Sequence, residues 1–320
     1  MSFCTLGYRN RSEAQGQLLL AHLFSQASFK YGHDMNVMGV SMSKVAIVRG
    51  TDPPSMVVRA LEMVDGAQAI SAEKPVLIKP NYVTASHPST GITTDSRVIE
   101  GVIAFLRQHD AREIIIGEGA GFADTLEAFK VAGVDEVAEK WKVKTVDLNK
   151  DEFIEVHPQK PLALKKVKVA KTALSSTIIS VPKLKPHRTA GVTLSLKNMM
   201  GAVKSKGSMH TRLSQNIVDL ASVIRPSLAV IDGIIAGEGH ETSGDPVEMN
   251  LVIAGADPVA VDSVGAAVMG IPPGSVKHLR LAEETGLGTS RLDRIQVLGE
   301  PVEKVKRKFR TSFVSKIVRI

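Results

Sequence analysis

Pro75-Val76-Leu77-Ile78-Lys79, the stretch from Asp95 to Gln108, and Glu113-Ile114-Ile115-Ile116-Gly117 form one unit whose reading decides the fold. The outer pieces are short, apolar and rich in β-branched residues, as strands buried on both faces are. The middle piece sets Val98, Ile99, Val102, Ile103 and Leu106 on one helical stripe, with Thr94 or Asp95 available as N-cap. Strand, helix and strand in that order predict a βαβ unit with parallel strands.

The alternation continues outward. Strands are predicted at Lys44 to Arg49, Lys144 to Leu148, Thr177 to Val181, Ser227 to Ile231, Leu251 to Ala254 and Arg294 to Leu298. Asp257-Pro258, an N-cap followed by a first-turn proline, opens a helix that stops near Gly270. A second helix is expected over Met209 to Ile224. The predicted class is α/β, with a largely parallel sheet or sheets flanked by helices and two lobes enclosing a cleft. The irregular stretch from Lys150 to Leu164 reads as the lobe boundary, giving 43–150 and 151–300. Met42-Ser43-Lys44 reads as a natural start, so 1–42 is expected to be an extension, and 301–320 a basic solvated tail.

A chain of 320 residues with 43% hydrophobic content can fill such cores. Its 4% aromatic content supplies few rings for base stacking, so nucleic acid is an unfavoured partner. One cysteine, Cys4, excludes an internal disulfide, and no iron–sulfur cluster ligated by this chain's own cysteines is expected. A reducing, cytoplasmic location follows as the expectation, and no apolar run approaches the roughly 20 residues that span a bilayer. The charge of +7, from 40 Lys and Arg against 33 Asp and Glu, favours anionic partners.

In open α/β sheets ligands bind beyond the carboxyl ends of the strands, so polar residues just after strands carry the functional signal. Lys79 and Asn81 follow one strand and lead into a hydroxyl-rich loop containing Thr93 and Thr94. Lys183, Lys185, His187 and Arg188 crowd four cationic or titratable groups into six positions; mutual repulsion on burial lowers a lysine's pKa and readies it for proton transfer. Lys197 and Asn198 interrupt the apolar stretch from Gly191 to Gly201, read as a mostly buried helix, and His210 follows a cationic loop. Glu118 lies between two glycines, as does Glu238, and Asp232 precedes Gly233; carboxylates on such loops are candidate ligands for Mg²⁺ or Mn²⁺. No phosphate-binding loop of the Walker type, dinucleotide fingerprint or nucleophile elbow is present.

Seven ordered motifs carry a family resemblance: Val76 to Asn81 with Thr93-Thr94-Asp95, Ile116 to Gly119, Pro182 to His187, Leu196 to Gly201, Ile231-Asp232-Gly233, Gly237-Glu238-Gly239, and Asp257 to Asp262. Together they resemble the prokaryotic family catalogued as domain of unknown function 362, over roughly Lys44 to Glu300. The resemblance implies a shared core whose motifs coincide with the post-strand positions. Many relatives carry ferredoxin-type cysteine motifs, which this chain lacks.

The leading expectation is an enzyme acting on a small phosphorylated or carboxylated anion. Lys79, Asn81, Thr93, Thr94, Lys197, Asn198 and Gly201 bind it; Lys183, Lys185, His187 or His210 moves the proton; Glu118, Asp232 and Glu238 hold a divalent cation or substrate hydroxyls. The alternatives are a non-catalytic carrier serving a redox partner protein, and nucleic-acid binding through the basic surface.

Overall fold

The computed structural model describes residues 42–312 apart from 112. The expected extension over 1–41, Cys4 with it, and residues 313–320 of the expected tail lie outside the described residues.

Twelve strands are described: β1 (Ser43–Arg49), β2 (Val76–Lys79), β3 (Ile114–Glu118), β4 (Lys144–Asp147), β5 (Phe153–Val156), β6 (Val167–Ala170), β7 (Thr177–Ser180), β8 (Lys185–His187), β9 (Gly191–Thr193), β10 (Leu228–Glu238), β11 (Asp245–Gly255) and β12 (Ile295–Gly299). Eight form one sheet in the order β12-β1-β11-β10-β7-β2-β3-β4. Only β11 is antiparallel to its neighbours β1 and β10; every other pairing is parallel. The fold is therefore α/β as expected. Strands from both sides of residue 150 enter this single sheet, β1 to β4 from before it and β7 and β10 to β12 from after it.

Alternation along the strands builds a core on each face. Val45, Ile47, Leu77, Ala229 and Ile231 point to one face, where the helix Pro258–Val268 packs. Ala46, Val48, Val76, Ile78, Leu228 and Val230 point to the other, against the helices Pro53–Met63 and Ser96–Gln108. The latter opens as predicted, with the Asp95 carboxylate accepting from the Arg97 N–H.

Three local expectations are corrected. Strands predicted to end at Ile231 and begin at Leu251 extend to Glu238 and back to Asp245 as one long hairpin. At Gly233 a Cβ would meet Leu251, so its missing side chain permits close pairing and only a register shift marks the spot. Asp232 consequently sits within a strand, and Glu238 ends it, instead of both lying on one loop. The stretch from Gly191 to Gly201 is not one helix; it is β9, paired with β8, then a single turn Ser195–Asn198 and a 3-10 turn Met199–Ala202. The helix expected over Met209 to Ile224 spans Leu213–Ala221 and follows a 3-10 turn Lys206–His210.

Candidate functional site

Beyond the carboxyl ends of β2, β3 and β7 lies a cavity of about 720 Å³. The ends of β2 and β3 supply Lys79, Asn81, Glu118 and Gly119; the β8–β9 hairpin supplies Lys185, His187, Arg188 and Thr193. The following turns contribute Lys197, Asn198, Gly201, Lys206 and His210, and the β10–β11 connection contributes Glu241.

Its floor is a buried polar network. Lys79 Nζ lies 2.7 Å from Glu118 Oε1 and also donates to Pro80 O and Asn198 Oδ1. Glu118 further accepts the backbone N–H groups of Gly119 and Tyr82. Gly201 is pressed onto this pair, and a Cβ there would collide with Glu118 Oε1 and Lys79 Nζ. Asn198 Nδ2 donates to Lys79 O and Ser180 Oγ, leaving its Oδ1 to accept from Asn81 Nδ2. That orientation leaves Asn81 Oδ1 buried with no partner among the described residues; Thr193 Oγ1 is in the same state. Unsatisfied buried polar atoms lining a cavity are sites for ligand hydrogen bonds.

Five basic side chains line the cavity against two carboxylates, Glu118 and Glu241. Glu118 is matched by Lys79, and Glu241 by Arg188 at 3.1 Å. Among the described residues, Lys185, Lys197 and Lys206 have no carboxylate partner. Lys185 Nζ is held by the carbonyls of Ile92 and Glu241, and burial, reinforced by Lys197 and Lys183, lowers it to about 7. Burial lowers half-buried Lys197 to about 8, and lowers Lys206 as well. His187 Nδ1 accepts the N–H groups of Thr189 and Ala190, which puts the ring proton on Nε2, facing Glu241 Oε1 at 3.6 Å. Burial, then the neighbouring Lys197, pushes this imidazole down to about 2, so it is neutral at physiological pH.

Nine of the fourteen residues expected from the sequence meet here: Lys79, Asn81, Glu118, Lys185, His187, Lys197, Asn198, Gly201 and His210. The other five do not line the cavity. Lys183 and Asp232 form a fully buried pair at 2.6 Å, and Asp232 also accepts the Asp95 N–H, tying β10 to the helix Ser96–Gln108. Thr94 receives the Asn81 N–H and donates to Val181 O behind the wall, and Thr93 donates to Ser86 O. Glu238 pairs with Arg310 near the surface. Glu118, Asp232 and Glu238 are thus matched separately to Lys79, Lys183 and Arg310. Among the described residues no cluster of three His, Cys, Asp or Glu side chains offers a metal donor set.

Glu241 and Thr193 carry no signal of their own in the sequence, whereas Lys206 belongs to the cationic loop Lys204 to Ser208 that the sequence marks as able to close over a phosphate. The first follows the Gly237-Glu238-Gly239 motif by two residues, and only the length of the hairpin reveals that it folds back over β8. Asp262 acts from outside the cavity: buried in the helix Pro258–Val268, it accepts from Ser195 N, Ser195 Oγ and Leu196 N, which sets the turn carrying Lys197 and Asn198.

The profile of the family described as domain of unknown function (DUF362) matches residues 76–267, an interval containing every residue that lines the cavity. A thylakoid-associated protein of Synechocystis sp. is 26% identical over 252 residues, covering 72% of this chain and 74% of the relative. No helix among the described residues is long and apolar enough to cross a membrane.

Proposed function

We propose that this chain, which belongs to the DUF362 family, is an enzyme that holds a small phosphorylated or carboxylated metabolite in the cavity and transforms it by acid–base chemistry. The observation carrying this reading is the surplus of lysines: Lys185, Lys197 and Lys206 share one cavity, and none of the three has an ion-pair partner among the described residues. Buried cations call for a counter-charge, and an anionic ligand supplies it.

Lys185, with a pKa lowered to about 7, exchanges a proton near neutral pH, where a general acid or base is most effective. Neutral His187 donates through Nε2, and Asn81 Oδ1 takes a ligand hydroxyl. Lys183 is withdrawn from the proton-transfer role by its pairing with Asp232. With Glu118, Asp232 and Glu238 each matched to its own cation, no step uses a metal. We assign the reaction to the cytoplasm, the location expected from the single cysteine; the relative's name associates that protein with thylakoids.

Native mass spectrometry of the protein with a pool of phosphorylated and carboxylated metabolites tests the reading. Adducts formed by the wild type and lost in Lys185→Ala and Lys197→Ala are expected; adducts equally abundant in both variants would remove the cavity from the account.

A further inference from the structure

Resting on the anion-binding reading and narrowing its substrate class, we propose that Lys197 forms a Schiff base with the carbonyl carbon of a small anionic aldehyde or ketone.

A nucleophilic lysine needs a free lone pair, room for the electrophile, and a stem that cannot swing away. The other cations of the cavity are engaged. Lys79 is bound to Glu118, Pro80 O and Asn198 Oδ1; Lys185 to two carbonyls; Lys206 to Asn149 Oδ1; Arg188 to Glu241. Lys197 Nζ has neither a hydrogen-bond nor an ion-pair partner among the described residues, and it lines the cavity. Its backbone is fixed, because Asp262 clamps the first N–H groups of the turn Ser195–Asn198. The lowered pKa, about 8, gives this amine a larger unprotonated fraction at neutral pH than an exposed lysine has.

The step balances without an outside oxidant. The Lys197 lone pair forms the C–N bond while the carbonyl π pair moves to oxygen; a proton then passes from nitrogen to that oxygen, giving a carbinolamine. The nitrogen pair next forms C=N as the C–O bond breaks, and the hydroxyl takes a proton and departs as water. Lys185 is placed in the same cavity to carry these protons. Asn81, whose Oδ1 is a buried acceptor with no donor among the described residues, lines the same cavity.

The test treats the full chain with pyruvate, and separately with glyceraldehyde 3-phosphate, in the presence of cyanoborohydride, and maps the reduced adducts by peptide mass spectrometry. At least one probe is expected to couple to Lys197 roughly tenfold or more faster than to exposed lysines. The adduct is lost in Lys197→Arg and Lys197→Gln and retained in Lys204→Arg. In parallel, the melting temperature is read with and without millimolar phosphate. Phosphate stabilisation with no adduct from either probe, or with labelling that survives both Lys197 variants, overturns the Schiff base and leaves the anion site standing. No phosphate effect on the wild type together with no adduct overturns both.

Discussion

Lys79 Nζ lies 2.7 Å from Glu118 Oε1 with 1% and 2% of the two side chains exposed, joining the ends of the neighbouring strands β2 and β3 beneath the cavity. Taking either partner away strands the other charge in the interior. Glu118→Ala is therefore expected to cost about 3–5 kcal/mol in urea unfolding. Lys79→Met combined with Glu118→Leu should recover part of that loss. A single substitution costing under about 1 kcal/mol would place the pair among weak, solvated ion pairs.

Gly201 is expected to tolerate no side chain. Gly201→Ala drives a methyl group into Glu118 Oε1 and Lys79 Nζ, so overpacking of about 1–3 kcal/mol accompanies a loss of anion binding. Calorimetric melting with and without phosphate measures both effects. An unchanged melting temperature would show that the pair shifts aside freely.

Lys185 and Lys197 titrate at about 7 and about 8, both below the ordinary lysine value, chiefly because of burial. An anion between them raises both values, so binding takes up protons near pH 8. Sulfate affinity should fall as pH rises from about 6.5 to about 9, and the heat of binding should vary with the ionisation enthalpy of the buffer. The groups facing these lysines are Lys79, Glu118, Lys183, His187, Arg188, Lys206, His210 and Glu241; His187, held near 2, stays neutral throughout. For stability the sign is opposite: the unfolded chain binds more protons between pH 7 and the ordinary lysine value, so the contribution of Lys185 grows as pH climbs through that window. Sulfate binding independent of pH would contradict the account.

Much of this was legible in the sequence, for a physical reason. Strands buried on both faces write themselves as unbroken apolar runs, so β2, β3 and β7 were placed within one residue, and residues just after such strands stand at the cavity by topology alone. Lys183 and Asp232 carry the same signal, yet they pair in the interior away from the cavity. Their pairing depends on β10 lying beside β7, a contact between distant residues that local pattern does not encode. The long hairpin was hidden because Gly233 and Gly237 look like breakers when their neighbours are unknown. Glu241 was invisible for that reason.

Asp262 is a positioning residue, with burial lifting its carboxyl to about 7 and three donors converging on it. In Asp262→Asn an amide N–H faces a backbone N–H, an unmade hydrogen bond worth about 1–3 kcal/mol. Sulfate affinity should weaken as well, at temperatures where the variant remains folded, because Lys197 and Asn198 shift with their turn. Reduced stability with full sulfate affinity would confine Asp262 to the core.

The proposed function stands on an anion held among Lys185, Lys197 and Lys206. A crystal of the protein soaked in selenate, with data collected at the selenium absorption edge, tests it most directly. An anomalous peak is expected within the cavity, in contact with Lys185 or Lys197 and absent from crystals of Lys185→Ala combined with Lys197→Ala. Selenate found only on the outer surface, or a cavity peak unchanged in the double variant, would contradict it.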